Sequence, residues 1–286
     1  MYAITGITGR VGGAAARALL AAGLPVRAVP RNAAKGAPWA AHGCEVALAD
    51  MTDAAALTTA FTSAQAVFPL IPPIFDPAPG FPEIREIITA LTTAIAAAKP
   101  PKVVSLSTIG AQAAQPNLLN QLGLVEQALG ALEVPVCFLR AAWFMENAAW
   151  DVTPARAGVV PSFLQPLDNP FPMVATADIG QLAAALLQEN WTGRRIVELE
   201  GPRRVTPNEI GALFGKILGH EVRMEPVPRG RWEELFTAQG MRNPTPRMQM
   251  LDGFNQGWIA FETGEQGTLK GQTDIETVLR QLVAAG

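Results

Sequence analysis

Tyrosine occurs once in the 286 residues, and histidine and cysteine twice each. So few phenol, imidazole and thiol groups leave little from which to build a proton-transfer or nucleophilic site. His42 and His220 stand apart from each other and from any cysteine, which argues against a metal centre. Cys44 and Cys137 lie in apolar, strand-like runs without Cys-x-x-Cys spacing, and read as buried thiols of a reducing compartment. Charge is sparse as well: 16% of residues are charged and they sum to −3, with no cluster of Lys and Arg able to track a phosphate backbone. A nucleic acid is therefore not expected as a direct partner. The most apolar long stretch, Ile87 to Ala98, is too short and too rich in threonine to cross a bilayer. The first strand begins at the second residue and leaves no room for a signal peptide, so the expectation is a soluble, cytoplasmic protein with no membrane partner.

Glycine, by contrast, is abundant and placed. The apolar run Tyr2 to Thr5 reads as a buried strand and empties into Gly6, Gly9 and Gly12, spaced three apart, ahead of a helical pattern over Ala14 to Ala22. Where a strand turns sharply into a helix, missing Cβ atoms let the backbone approach a pyrophosphate. The free N–H groups and positive dipole end of the helix then face that anion. The stretch predicts a dinucleotide.

Strand and helix signals continue to alternate. Pro25 to Val29, Glu45 to Ala49, Ala66 to Ile71, Lys102 to Ser107 and Pro135 to Arg140 read as strands, with helices over Ala33 to Ala41, Thr52 to Phe61, Glu83 to Ala98 and Leu118 to Leu132. Such alternation predicts an α/β fold with a doubly wound parallel sheet in the order 3-2-1-4-5-6. The proline-crowded segment from Pro72 to Pro82 reads as a loop at the carboxyl edge of the sheet, where ligands bind. Beyond Arg140 the alternation breaks up. Thr176 caps a helix to about Gln188, Arg195 to Glu200 reads as a strand, and helices are expected from Pro207 to Gly219, near Arg229 to Gln239 and over Asp274 to Ala285. The division expected is a dinucleotide-binding domain of residues 1–150, to which 173–200 return, and a small mixed lobe of residues 151–172 and 201–286 that binds substrate.

A strand-two end that reads the ribose 2′-OH of NAD carries an acid, but this chain has Pro30, Arg31 and Asn32 there. Arg31 can pair bidentately with a 2′-phosphate, with Arg10 in the glycine turn adding charge, so NADP(H) is the expected cofactor. Asp50, ending strand three, reads either as a contact to the adenine edge or as a helix cap. The other candidates around the dinucleotide are Thr8, Val11, Met51, Leu70 and Ser107. Ile74, Phe75, Trp143, Phe144, Met145 and Trp150 gather apolar and aromatic groups near the expected nicotinamide end and suit a flat hydrophobic ligand. No catalytic residue is assigned; Ser107, Thr108 and Asn147 are the nearest polar candidates.

Gly6-Ile-Thr-Gly-Arg-Val-Gly12, Arg31-Asn32, Ser107-Thr-Ile-Gly-Ala111, Leu139-Arg-Ala-Ala-Trp-Phe-Met-Glu-Asn147, Thr176-Ala-Asp-Ile-Gly180 and Gly201-Pro-Arg-Arg-Val-Thr206 follow one another along essentially the whole chain. In that order they resemble the NmrA-like atypical short-chain dehydrogenase/reductases. The resemblance implies a Rossmann domain, NADP(H), a small carboxy-terminal lobe and a substrate cleft between them. It also implies one of two activities: reduction of quinones, dyes or phenylpropanoids, or redox sensing on behalf of a regulatory protein partner; a homodimer is compatible with both.

The chain departs from the wider superfamily in its acid. A Tyr-x-x-x-Lys pair cannot exist, because Tyr2 is the only tyrosine and Gly6 lies four residues on. Many NmrA-like reductases carry Lys or His three or four residues before a glutamate on the helix after strand five. If Glu126 is that glutamate, those positions hold Leu122 and Gly123, and neither donates a proton. Two readings follow. One is hydride transfer to a small hydrophobic electrophile, such as a quinone, iminium ion or dye, that needs no protein acid; the other is NADP(H) binding without turnover.

Overall fold

In the computed structural model, which describes residues 1–286, β1 (Tyr2–Thr5) is buried along its whole length and lies between two parallel neighbours. It is followed by α1 (Arg10–Ala21), β2 (Val26–Val29), α2 (Ala33–Ala41), β3 (Glu45–Val46), α3 (Ala54–Phe61), β4 (Ala66–Phe68), α4 (Pro82–Ala98), β5 (Val103–Thr108), α5 (Asn120–Leu129) and β6 (Val136–Ala141). Tyr2 stands opposite Val26 of β2 and Ala66 of β4, and the register continues in step. The six strands run 3-2-1-4-5-6 in space, as expected for a doubly wound sheet. Residues on alternate faces of these strands feed two apolar layers. One holds α1 and the later helices; the other holds α3, α4 and α5.

After β6 come β7 (Trp143–Phe144), a 3₁₀ segment (Met145–Asp151), α6 (Val152–Arg156), β8 (Val159–Ser162), β9 (Met173–Val174), α7 (Thr176–Gln188) and β10 (Arg194–Glu200). The rest of the chain supplies α8 (Pro207–Leu218), β11 (Arg223–Pro226), a 3₁₀ turn (Arg229–Arg231), α9 (Trp232–Ala238), α10 (Thr245–Gln256), α11 (Gly264–Gly267), β12 (Leu269–Lys270) and α12 (Ile275–Ala285). The sheet does not stop at six strands: β10 adds parallel to β6, and β12 adds parallel to β10. β11 with β8 and β7 with β9 form two small parallel ribbons beside it.

Several local expectations shift. Helix α1 starts at Arg10, four residues before its alanine run, because Gly9 already has extended backbone and hands over to the helix there. α3 starts at Ala54 rather than Thr52 because Asp53 caps it, accepting from the Ala56 N–H at 2.9 Å. Thr176 is not a cap either: Ala175 holds that position, and acceptors for the end of α7 come from Glu146. α10 has no counterpart in the sequence reading.

Gly180 explains how α7 reaches the glycine turn. A Cβ there would sit 2.4 Å from the Ala14 Cβ, 2.7 Å from the Ala15 nitrogen and 2.9 Å from the Val11 carbonyl oxygen. Only a residue without a side chain lets α7 lie this close to α1.

Candidate dinucleotide site

The turn after β1 is shaped by what its glycines lack. Gly6 has φ +57°, and a Cβ on it would meet the Leu70 Cβ at 2.8 Å. A Cβ on Gly12 would be 2.5 Å from the Gly6 carbonyl oxygen and 2.8 Å from Leu70 Cδ1. Leu70 is thus the floor against which both glycines close. It is held there by Thr5, whose hydroxyl donates to the Leu70 carbonyl at 3.0 Å and accepts the Leu70 N–H at 2.7 Å. At the start of α1, no side chain caps the first turn and no acid lies in it. The N–H groups of Arg10, Val11 and Gly12 therefore face outward without an intrahelical acceptor, as a pyrophosphate requires.

These residues border a cleft of about 530 Å³ at the carboxyl ends of β1, β2, β4 and β5. Gly6, Thr8, Gly9, Arg10, Val11, Gly12, Arg31, Met51 and Leu70 line it, and so do Phe144, Asn147 and Trp150 toward its other end. The second strand ends in Val29, Pro30 and Arg31, none of which brings a carboxylate to the cleft wall. Lys35 joins them, a residue the sequence reading passed over. Asn32 is the reason: as N-cap of α2 it accepts the Lys35 N–H at 3.0 Å, so Lys35 falls in the first helical turn, beside Arg31. Asn32 itself does not line the cleft, and neither does Asp50, whose carboxylate takes the Thr52 amide at 3.1 Å and hydroxyl at 3.0 Å. Those bonds hold the Asp50 pKa below the usual carboxylate range.

Ser107 lies off the cleft and its neighbour Leu106 on it, as strand alternation dictates. The Ser107 hydroxyl donates to Glu126 at 2.6 Å, and Glu126 is gripped by Arg140 through two bonds of 2.8 and 2.9 Å. Arg140, 1% exposed, also reaches Glu198 at 3.3 Å and Glu262 at 2.7 Å. Burial opposes the charge of Glu198, yet bonds from Thr263, the Glu262 amide and Arg140 leave its pKa lowered. The buried Ser107 hydroxyl thus belongs to a structural knot rather than to the cleft. Thr108 lies outside the cleft lining too.

Of the aromatic candidates, Trp143 packs edge-on against Phe254 at 5.2 Å, and Met145 is buried beneath Gly201; neither lines the cleft. Both are apolar residues next to a strand end, where sequence does not distinguish core from cleft. Phe75 and Trp150, 49% and 62% exposed, meet edge-on at 6.4 Å. Ile74 precedes Phe75 and has its carbonyl held by Gln121. Glu146 and Thr176, not singled out from sequence, also border the cleft: the carboxylate accepts the Thr176 amide at 2.9 and 3.0 Å and ties the 3₁₀ segment to the end of α7. Gly123 excludes a lysine at its own position, since a Cβ there would lie 2.6 Å from the Ala111 carbonyl oxygen. A second depression, beside β3, is bordered by Arg27, whose guanidinium is already taken by Glu45 and the Ala60 and Thr62 carbonyls.

A parallel sheet wound on both sides, a glycine cradle on the first helix and a cleft at the strand ends define a Rossmann dinucleotide-binding protein. The chain belongs to the NmrA-like family, whose pattern it matches over residues 2–256. It is 30% identical over 228 residues to a (4-alkanoyl-5-oxo-2,5-dihydrofuran-3-yl)methyl phosphate reductase of Streptomyces griseus, covering 79% of this chain and 76% of that one. To an NAD(P)H azoreductase of Xenophilus azovorans it is 25% identical over 243 residues, 84% of this chain and 82% of that one. Its fold is shared with the Citrobacter sp. triphenylmethane reductase complexed with NADP(H), at a TM-score of 0.81 and 19% identity, with 99% and 100% of the two chains covered.

Proposed function

We propose that the protein is an NADPH-dependent reductase that delivers hydride to a small hydrophobic electrophile, such as a quinone, an iminium ion or a dye-like acceptor. The observation that carries this reading is the cleft wall itself, where Arg31 and Lys35 stand in place of an acid beside the uncapped first turn of α1. Two cations there suit a 2′-phosphate, and the outward N–H groups of α1 suit the pyrophosphate. The reduced nicotinamide of NADPH supplies the hydride when bound. The chain's part is to hold that ring and the acceptor together and to keep water away, with Phe144, Asn147 and Trp150 at the far end of the cleft and Phe75 packed edge-on against Trp150.

The named relatives are reductases, which supports the reaction class. The acceptor class follows from what the cleft does not offer. Neither a phenol–ammonium pair nor the Ser107 hydroxyl serves as an acid there, since Tyr2 lies in β1 and Ser107 is bonded to Glu126. Protein general acid catalysis is worth roughly 10²–10⁴-fold, so simple carbonyls are poor substrates, whereas acceptors that take hydride readily need no such help. Following NADPH absorbance with a panel of quinones and cationic dyes tests this. Oxidation by at least one acceptor is expected; tight NADPH binding with no oxidation by any of them supports the redox-sensor alternative instead.

A further inference from the structure

Four large apolar side chains stand exposed in this protein, Leu48, Phe75, Trp150 and Leu269, and two of the four touch. The Phe75 and Trp150 rings meet edge-on, their planes 77° apart. Single exposed apolar residues are ordinary, but two aromatic rings brought together in water from distant segments mark a surface that binds something. Neither ring is bare through slack. Phe75 stands between two anchors: the Ile74 carbonyl accepts from Gln121 at 3.0 Å, and the Asp76 carboxylate accepts the Asn243 N–H at 2.7 Å and the Arg242 N–H at 3.0 and 3.1 Å. Asn243 also donates to the Pro77 carbonyl at 2.9 Å. Trp150 rides on the 3₁₀ segment between the buried Ala148 and Val152, where that segment packs on α12. Both backbones are fixed while the rings they carry are left in water, which is how a preorganised binding surface is built.

The position of the pair says what binds. Trp150 lines the cleft beside Ala149 and Phe144, at the end away from Arg31 and Lys35. The cleft holds about 530 Å³, within the roughly 300–1,000 Å³ that one drug-sized ligand fills, and a dinucleotide is at least as large as such a ligand. With the cofactor in place little enclosed space is left. An acceptor then extends past the end of the cleft, where Trp150 and the Phe75 packed against it are the apolar surface on offer.

From this juxtaposition we propose that Trp150 and Phe75 form the specificity subsite for the acceptor, so that the substrate class is an extended aromatic electrophile of two or more fused or conjugated rings. One end of it meets the nicotinamide and the rest stacks on the Trp150 indole. The proposal rests on the reductase reading above. Two rings near a right angle make a corner in which a flat molecule lies face to face with one and edge-on to the other, the two arrangements aromatic quadrupoles favour. A single ring at the nicotinamide does not fill that corner, so the pair selects by ring number. Its contacts fall away from the reacting atoms, and their contribution enters KM rather than kcat.

The test compares three-ring 9,10-phenanthrenequinone with one-ring 1,4-benzoquinone as NADPH-dependent acceptors, in the wild type, Trp150→Ala, Trp150→Phe and Phe75→Ala. The ratio of kcat/KM for the larger over the smaller quinone is expected to fall about tenfold in Trp150→Ala and about threefold in Phe75→Ala, through KM for phenanthrenequinone; one aromatic contact is worth roughly 2- to 13-fold. Trp150→Phe keeps a ring face and should recover most of the ratio; it also serves if the alanine variant does not fold. A ratio unchanged in Trp150→Ala overturns the proposal, and one unchanged in Phe75→Ala alone removes Phe75 from the subsite. If neither quinone oxidises NADPH, the reductase reading fails separately, and calorimetric titration of phenanthrenequinone into the NADP⁺-loaded protein decides. Affinity at least fivefold weaker in Trp150→Ala supports the aromatic subsite, and equal affinity removes it.

Discussion

Gly180→Ala tests whether the contact between α7 and α1 positions the glycine turn. The added methyl has two immovable neighbours, the Ala15 nitrogen at 2.7 Å and the Val11 carbonyl oxygen at 2.9 Å, besides the Ala14 Cβ at 2.4 Å. Carbon atoms pack at about 3.5–4.0 Å, so the two helices must part by roughly 1 Å. Overpacking of this kind costs about 1–3 kcal/mol, which for a chain this long lowers Tm by about 2–5 °C. Val11 and Gly12 belong to the first turn of α1, so the displacement also tilts the N–H groups expected to face the pyrophosphate. NADPH affinity should fall about tenfold or more, since misplacement on this scale degrades oriented contacts. Differential scanning fluorimetry and an NADPH fluorescence titration give both numbers. Gly230→Ala is the control: it has open space around it and lies outside the left-handed region, so a shift within about 0.5 kcal/mol is expected. An unchanged Tm together with unchanged NADPH affinity in Gly180→Ala would refute the reasoning.

Two further outcomes follow from charge. Arg31→Ala and Lys35→Ala should each weaken NADPH by about tenfold while leaving NADH nearly unaffected; equal losses for both cofactors, measured by competitive titration, would remove these residues from the 2′-phosphate. Asp151 ends the 3₁₀ segment packed on α12, has no ion-pair partner, and burial pushes its pKa up to about 7. In the unfolded chain it ionises near pH 4, so this group favours folding fully below that pH and progressively less as pH rises through 7. Asp151→Asn should therefore raise stability by roughly 2–4 kcal/mol at about pH 8 and by little at about pH 4, and a pH-independent Tm difference between the two proteins would sink the assignment.

Much of the cofactor side was legible because it is local. Strand, glycine turn and helix follow one another in the first 21 residues, and the 3-2-1-4-5-6 order expected of a doubly wound sheet with this alternation is the one found. What escaped was set by tertiary partners. Arg195 to Glu200 reads as a strand, but the pairing of β10 with β6 joins segments more than 50 residues apart, which no local period encodes. α10 has a polar, weakly amphipathic sequence that opens on Thr245-Pro246, and its helicity depends on the lobe packed around it. Ser107 fell to alternation on β5 and to the acid waiting on α5, whereas Lys35 was recoverable from the capping geometry of Asn32. Trp143 and Met145 show the remaining ambiguity, since hydrophobicity at a strand end does not say which way a side chain turns.

The sheet's continuation through β10 and β12 bears on how the gene can be cut. Ending the chain before β10 would leave the hydrogen-bonding groups of β6, six buried residues of a central strand, facing water along one side. An edge that long and that apolar recruits other chains. Expression of residues 1–150 alone should therefore give aggregated material rather than a nucleotide-binding fragment, and a shortened form that keeps β6 covered must retain the chain at least through Glu200.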